Sequence, residues 1–234
     1  MLTRRIVFAA SALWLAALGA QAGAVDSDNL QAQLQHLLAQ KSERSSDPAY
    51  LVRLSDVYLD VGDDVSLDIP TRTAAYEEGA KIADKAIELQ ERNADAHYLY
   101  AANSGSAAQL KGMMASALTI QDLKRHVKRA LELNPNHAPA LHMMGMMLEE
   151  LPWILGGDAD GALSYLRQAV TADPNYAHAR LDLAKAYLKR KDAAAARREL
   201  SIILRQPLAT PPSETDRRRR QEAVNLLDSL GLSR

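Results

Sequence analysis

One phrase occurs twice in this chain of 234 residues: Ala130-Leu131-Glu132-Leu133-Asn134-Pro135-Asn136 and, 39 positions later, Ala169-Val170-Thr171-Ala172-Asp173-Pro174-Asn175. Each copy reads as the apolar end of a helix, a polar stop and a proline that cannot continue the helix. Self-similarity at a spacing of roughly 30 to 40 residues is the signature of stacked supersecondary units. It constrains the architecture before any single element is assigned.

The segments after the two copies are also alike. Ala140-Leu141-His142-Met143-Met144-Gly145 and Ala179-Arg180-Leu181-Asp182-Leu183-Ala184 each open an amphipathic helix, with small Gly145 and Ala184 at matching places. Second helices come next, over 162–172 and 193–204. There Ala162 and Ala196 permit close approach, and Leu166 and Leu200 lie one turn further along the same face. The unit that begins at Ala177 has no insertion, whereas the one before it carries extra residues in its turn, Leu151-Pro152-Trp153-Ile154-Leu155-Gly156-Gly157.

Working backwards, 93–101 and 121–133 form an earlier helix pair separated by a longer insertion. Residues 48–61 and 73–89 form the first pair, with Tyr76, Gly79 and Ala86 at the expected places and a long turn at 62–70. Four units result, two clear and two degenerate, with insertions in the first three at the same structural turn. The ends need covers, since a repeat cannot bury its apolar face alone. Leu30, Leu34, Leu37 and Leu38 make one stripe over 26–41 and suit an N-terminal cap; Ala223, Val224, Leu227 and Leu230 over 215–230 suit a C-terminal one.

Composition agrees with a packed helical chain. Hydrophobic residues make up 47% and charged ones 24%, which argues against disorder, and aromatic residues only 5%, leaving residues that lose little rotamer entropy in a helix. The absence of cysteine excludes disulfides, thiolate nucleophiles and cysteine-based metal sites. At the N-terminus, Arg4 and Arg5 precede an apolar run over 6–18 and then Ala20-Gln21-Ala22, the pattern of a secretory signal peptide cleaved after Ala22 or Ala24. That run is shorter than the ~20 residues of a spanning helix. The expected address is a bacterial periplasm, with no lipid-bearing cysteine at the cleavage site. Removing Arg4 and Arg5 takes the formal charge from −1 to about −3, so nothing points to nucleic acid.

The repeat resembles the tetratricopeptide repeat, a helix–turn–helix of about 34 residues with small residues at fixed places and a proline near its end. Tyr187 matches the tyrosine of its first helix. The resemblance implies an all-α, short right-handed solenoid, and with the export signal and the two apolar stripes the chain divides into signal peptide 1–22, N-terminal capping helix and linker 23–47, about four helix pairs over 48–210, and a C-terminal capping helix over 211–234. From about Asn93 to Leu227, the Leu-Pro-Trp turn, the helix Ala162-Leu163-Ser164-Tyr165-Leu166 and the following Asp-Pro are similar to two groups. These are the regulator-of-microtubule-dynamics family and the periplasmic repeat proteins associated with TRAP transporters. The export signal favours the second by compartment, and both groups imply interaction modules without settled catalysis.

In this repeat class the first helices line a concave surface. Its register assigns to that surface Asp95, Tyr98 and Ala102 from the second unit, His142, Met146, Glu149 and Glu150 from the third, and His178, Leu181, Lys185 and Lys189 from the fourth. A peptide or helix laid across them is the expected ligand. The alternative is a small-molecule accessory of an uptake system, which predicts an enclosed cavity among Tyr98, Tyr100, His142 and Trp153.

Other features are read more plainly. His97, His126, His137, His142 and His178 show no metal-ligand spacing: His-Glu-x-x-His is absent, and His137 and His142 fall on different helix faces. No metal and no cofactor are expected. The acidic residues Asp60, Asp63, Asp64 and Asp68 lack the order of a calcium loop. Met143, Met144 and Met147 read as core filling, Arg217 to Arg220 as a solvated face, and the 151–157 turn as packed on the adjacent repeat because Trp153 favours burial. No phosphate loop, nucleophile elbow or convincing carboxylate pair is present, so catalysis is not expected.

Overall fold

The computed structural model describes residues 29–64, 66–207 and 214–231. The expected signal peptide and the start of the N-terminal cap lie outside these residues. In order, the helices are α1 (29–39), α2 (Lys41–Arg44), α3 (Pro48–Asp63), α4 (Ile69–Leu89), α5 (Ala94–Lys111), α6 (Met113–Leu133), α7 (Ala138–Glu150), α8 (Ala159–Ala172), α9 (Ala177–Lys189), α10 (Ala193–Arg205) and α11 (Glu214–Ser229). A short 3-10 turn, Trp153–Leu155, separates α7 from α8. The described residues contain no strand, and none of their helices is long and apolar enough to cross a membrane.

The recurring phrase has a physical meaning here. Asn134 and Asp173 end α6 and α8 in the same extended conformation, with φ of −138° and −132°. Their side chains then accept from the backbone N–H two residues on, Asn136 at 3.1 Å and Asn175 at 2.9 Å. This is an Asx turn, which satisfies a donor while the chain reverses. Helix starts are equally explicit. Asp47, Asp68, Asn93, Asp158 and Asp192 each accept from backbone N–H groups of the first turn, and Pro48 and Pro70 occupy places where a missing N–H costs nothing.

Helices pair as α3 with α4, α5 with α6, α7 with α8 and α9 with α10, and α10 packs on α11. The first helices α3, α5, α7, α9 and then α11 also touch one another in series, which places them on the inner side of the superhelix. Small residues set the approach within a pair. A Cβ on Gly145 would lie 2.9 Å from Leu166 Cγ and 3.2 Å from the Ala162 carbonyl, so α7 and α8 could not close with a larger residue there. Between the first units, Asn103 Nδ2 donates to Ser55 Oγ (3.2 Å) and to the Leu99 carbonyl (3.0 Å), while Ser55 Oγ donates to the Gly79 carbonyl (2.9 Å). Three helices are thereby pinned by buried polar groups that have lost water.

Three expectations are corrected. The long insertion after residue 101 is no loop: α5 runs on to Lys111 and α6 starts at Met113, with Gly112 at φ 107° as the break. Ala-rich sequence propagates a helix, and only glycine enters that backbone region without strain. Helix α4 starts at Ile69 rather than 73, because Asp68 caps it. Finally, Trp153 and Ile154 are not packed on a neighbour; they are 85% and 73% exposed. Met144, by contrast, is buried as core, with Met143 and Met147 packed against the same cluster.

Candidate functional site

The inner helices project a continuous set of polar side chains into the groove. Asp56, Asp60 and Asp63 lie one turn apart along α3 and make an acidic ridge, whose last member, Asp63, accepts from the Tyr76 hydroxyl at 2.6 Å. Asp56 is exposed, but the protein around its carboxyl displaces part of its water and raises it above its ordinary value, and the charge of Asp95 on α5 raises it further. Opposite this ridge stands Tyr98, whose hydroxyl is raised by burial and then by Tyr176, Asp56, Asp63 and Asp60. Tyr98 still shows some surface, so water reaches a ring that protein surrounds on most sides.

At the other end, α7 and α9 meet through a buried cluster. His142 Nε2 donates to Asp182 Oδ2 at 2.8 Å, and both side chains are only 8% exposed. His178 Nε2 lies 3.6 Å from the same oxygen, and Lys185 Nζ donates to Asp182 Oδ1 at 3.2 Å. The Tyr176 hydroxyl sits 3.3 Å from His142 Nδ1, and the rings of His142 and His178 are 4.6 Å apart. Burial, together with His142, pushes the His178 pKa down to about 4, so the ring is neutral at pH 7. Burial works against the Asp182 charge, but the hydrogen bond from His142 and the nearby cations more than offset it and hold the carboxyl below its usual range.

Helix α11 closes this end. Lys185 Nζ also pairs with Glu222 at 2.8 Å. A cavity of 430 Å³ is lined by Asp63 and Arg72 of the first pair, His178, Leu181 and Lys185 of α9, and Arg219 of α11 among others. The superhelix therefore curls until the first pair and the last helix share one hollow, where Asp63 and Glu222 stand among the cations Arg72, Lys185, Arg218 and Arg219.

The expected site residues divide into two sets. Tyr98, His178, Leu181 and Lys185 converge on the groove, although Leu181 is also core of the α9–α11 packing. His142 reaches the groove only through Asp182 and His178, because it is buried. Asp95 is occupied by His137 Nε2 at 3.0 Å, and that histidine in turn caps α7 through Nδ1. Glu149 pairs with Lys189 at 3.1 Å and Arg190 at 3.3 Å, and Met146 packs against the Leu166–Leu183 cluster. These are links between α7 and α9.

The register did not single out Asp182, though it lies four residues after His178 and so on the same face. Spacing along one helix is also blind to ligand sets assembled from two. His142, His178 and Asp182 come from two helices and place one ligand atom each within 4.8 Å of one another. The cavity expected among Tyr98, Tyr100, His142 and Trp153 does not form. Tyr100 turns to α6, donating to Asp122 at 2.9 Å and packing on His126, while Trp153 is in solvent. A larger hollow of 810 Å³ does lie between α4 and α6, lined by Glu91, His97, Lys124, His126 and Arg129 among others, where the sequence offered no signal.

Helix pairs with inner first helices, Asx-turn reversals and capping helices define a tetratricopeptide-type superhelix, and residues 154–209 match the family description of the tetratricopeptide repeat. The chain belongs to the regulator of microtubule dynamics protein 1–3 family, whose description matches residues 19–151. That match lies largely N-terminal to the stretch whose motifs suggested it. The chain is 30% identical over 211 residues to regulator of microtubule dynamics protein 1 of Bos taurus, covering 83% of this chain and 65% of that protein. It is also 30% identical to the Pongo abelii protein of the same name, covering 84% of this chain and 67% of the relative. The chain thus spans about two thirds of these relatives' length. The solved structure of a thermophilic TPR protein from Thermus thermophilus superposes with a TM-score of 0.63 at 19% identity, covering 91% of this chain and 95% of that one.

Proposed function

We propose that this protein is a non-catalytic scaffold that holds an extended, basic segment of a partner protein in its concave groove. The observation that carries the reading is the inward acidic ridge of α3. Partial loss of water and the charge of Asp95 already disfavour ionisation of Asp56, so a cation laid between Asp56 and Asp95 relieves repulsion as well as adding attraction. Tyr98 supplies a half-buried aromatic face in the same groove, the kind of anchor that dominates peptide interfaces. The fold itself supports a protein-binding role.

We further propose that the chain acts after export, directed by residues 1–22. The basic pair, the apolar run and the small residues at the cleavage point support this reading. Mass measurement of the N-terminus of the protein recovered from its native cell tests it; an intact Met1 contradicts it.

The groove reading is tested by fluorescence anisotropy with two extended peptides of equal length, one lysine-rich and one glutamate-rich, each with a single tyrosine. The lysine-rich peptide is expected to bind, more weakly as salt rises, and to lose about tenfold or more in affinity on Asp56→Lys. Equal binding of the two peptides refutes the reading.

A further inference from the structure

We propose that His142, His178 and Asp182 form a divalent transition-metal site at the α7–α9 end of the groove, with one coordination position open toward the cavity beside α11. The site stands whichever partner the groove holds.

The donor set selects the ion. Two imidazoles and one carboxylate, without sulfur, suit zinc, cobalt or ferrous iron; magnesium and calcium prefer oxygen alone. The three ligand atoms lie within 4.8 Å of one another, and a tetrahedral ion with bonds of about 2.0–2.2 Å needs donors roughly 3.3–3.5 Å apart. His142 Nε2 and Asp182 Oδ2, 2.8 Å apart, must open slightly, and His178, 3.6 Å from that oxygen, is already at ligand spacing. The buried pair is held by its packing, while His178 is 45% exposed and free to adjust.

When the ion takes His142 Nε2, the ring proton resides on Nδ1, which faces the Tyr176 hydroxyl at 3.3 Å. The hydroxyl oxygen can accept that proton, the outer contact that fixes a ligating imidazole. Two cations oppose the ion: Arg219 of α11, whose charge acts on His178, and Lys185. Lys185 lies 3.2 Å from Asp182 Oδ1, but it has a second carboxylate in Glu222 at 2.8 Å, so it can swing toward α11. Three protein ligands leave the fourth position to water or to a carboxylate of a bound partner, reached through the 430 Å³ cavity.

The test uses the tag-free, metal-stripped full chain titrated with Co²⁺, followed by its visible absorption, with Zn²⁺ as competitor. One equivalent of Co²⁺ is expected to give an intense spectrum of low coordination number, displaced by one equivalent of Zn²⁺. His178→Ala, which leaves the buried pair in place, and Asp182→Asn are each expected to weaken binding by about 100-fold, with folding checked by circular dichroism. Lys185→Gln is expected to tighten it by on the order of tenfold, a direction that damage to the fold does not produce. Absence of the spectrum, or binding unchanged by His178→Ala and Asp182→Asn, overturns the proposal.

Discussion

Replacing Asp182 with alanine probes the joint between the third and fourth helix pairs. The carboxylate accepts from His142 at 2.8 Å and from Lys185 at 3.2 Å. Its loss strands an imidazole N–H that is 8% exposed, whereas Lys185, 39% exposed, keeps Glu222. Removing one partner of a buried pair costs ~3–5 kcal/mol, and a stranded buried donor alone ~1–3 kcal/mol. The lysine contributes under ~1 kcal/mol because solvent screens it. A loss of about 3 kcal/mol is therefore expected, or roughly 6–12 °C in Tm for a chain of this size. Urea denaturation of Asp182→Ala, His142→Ala and the double variant isolates the pair, with an expected coupling of ~1–3 kcal/mol. Coupling below about 0.5 kcal/mol would refute the view that this hydrogen bond ties α7 to α9.

Stability should fall as pH drops from about 6.5 to about 4. The unfolded chain binds a proton at residue 178 below its ordinary pKa of 6.5, whereas the native His178 resists until about 4, so in that window acid favours unfolding. His126, also lowered by burial, adds in the same direction. A flat Tm between pH 7 and 5, or a slope unaltered by His178→Gln, contradicts this; the His178 share is no more than about 1 kcal/mol once solvent screening is counted. Gly145→Val forces a Cβ to within 2.9 Å of Leu166 and should cost ~1–3 kcal/mol by chemical denaturation. Trp153→Ser with Ile154→Ser should leave the denaturation midpoint within about 0.5 kcal/mol, since both side chains are in solvent; a larger drop places them in the fold's packing.

The architecture was legible because the repeat phrase encodes local chemistry. An Asx turn needs Asn or Asp at one place and a helix stop beside it, and small residues at Gly145 and Ala162 are demanded by close approach whatever the partner. The extended α5 and α6 were missed because register alone cannot tell an insertion from a longer helix; Gly112 was the only mark of the break. Trp153 misled because a residue's average preference for burial says nothing about where its turn projects. The His142–Asp182–His178 cluster escaped for a different reason: its members lie on two helices, and long-range neighbours leave no periodicity in one chain. Tyr98, His178 and Lys185 were assigned by helical phase alone, which places them on α5 and α9 but does not say what they bind.

The central claim is that a partner lies against the inner helices. Site-specific photocrosslinking tests it directly, with benzoylphenylalanine placed at Asp60 of α3 and His178 of α9 on the inner side, and at Lys81 of α4 and Arg198 of α10 on the outer side. Crosslinks to one common partner from both inner positions and neither outer one are predicted. Crosslinks from Lys81 and Arg198 alone contradict the account.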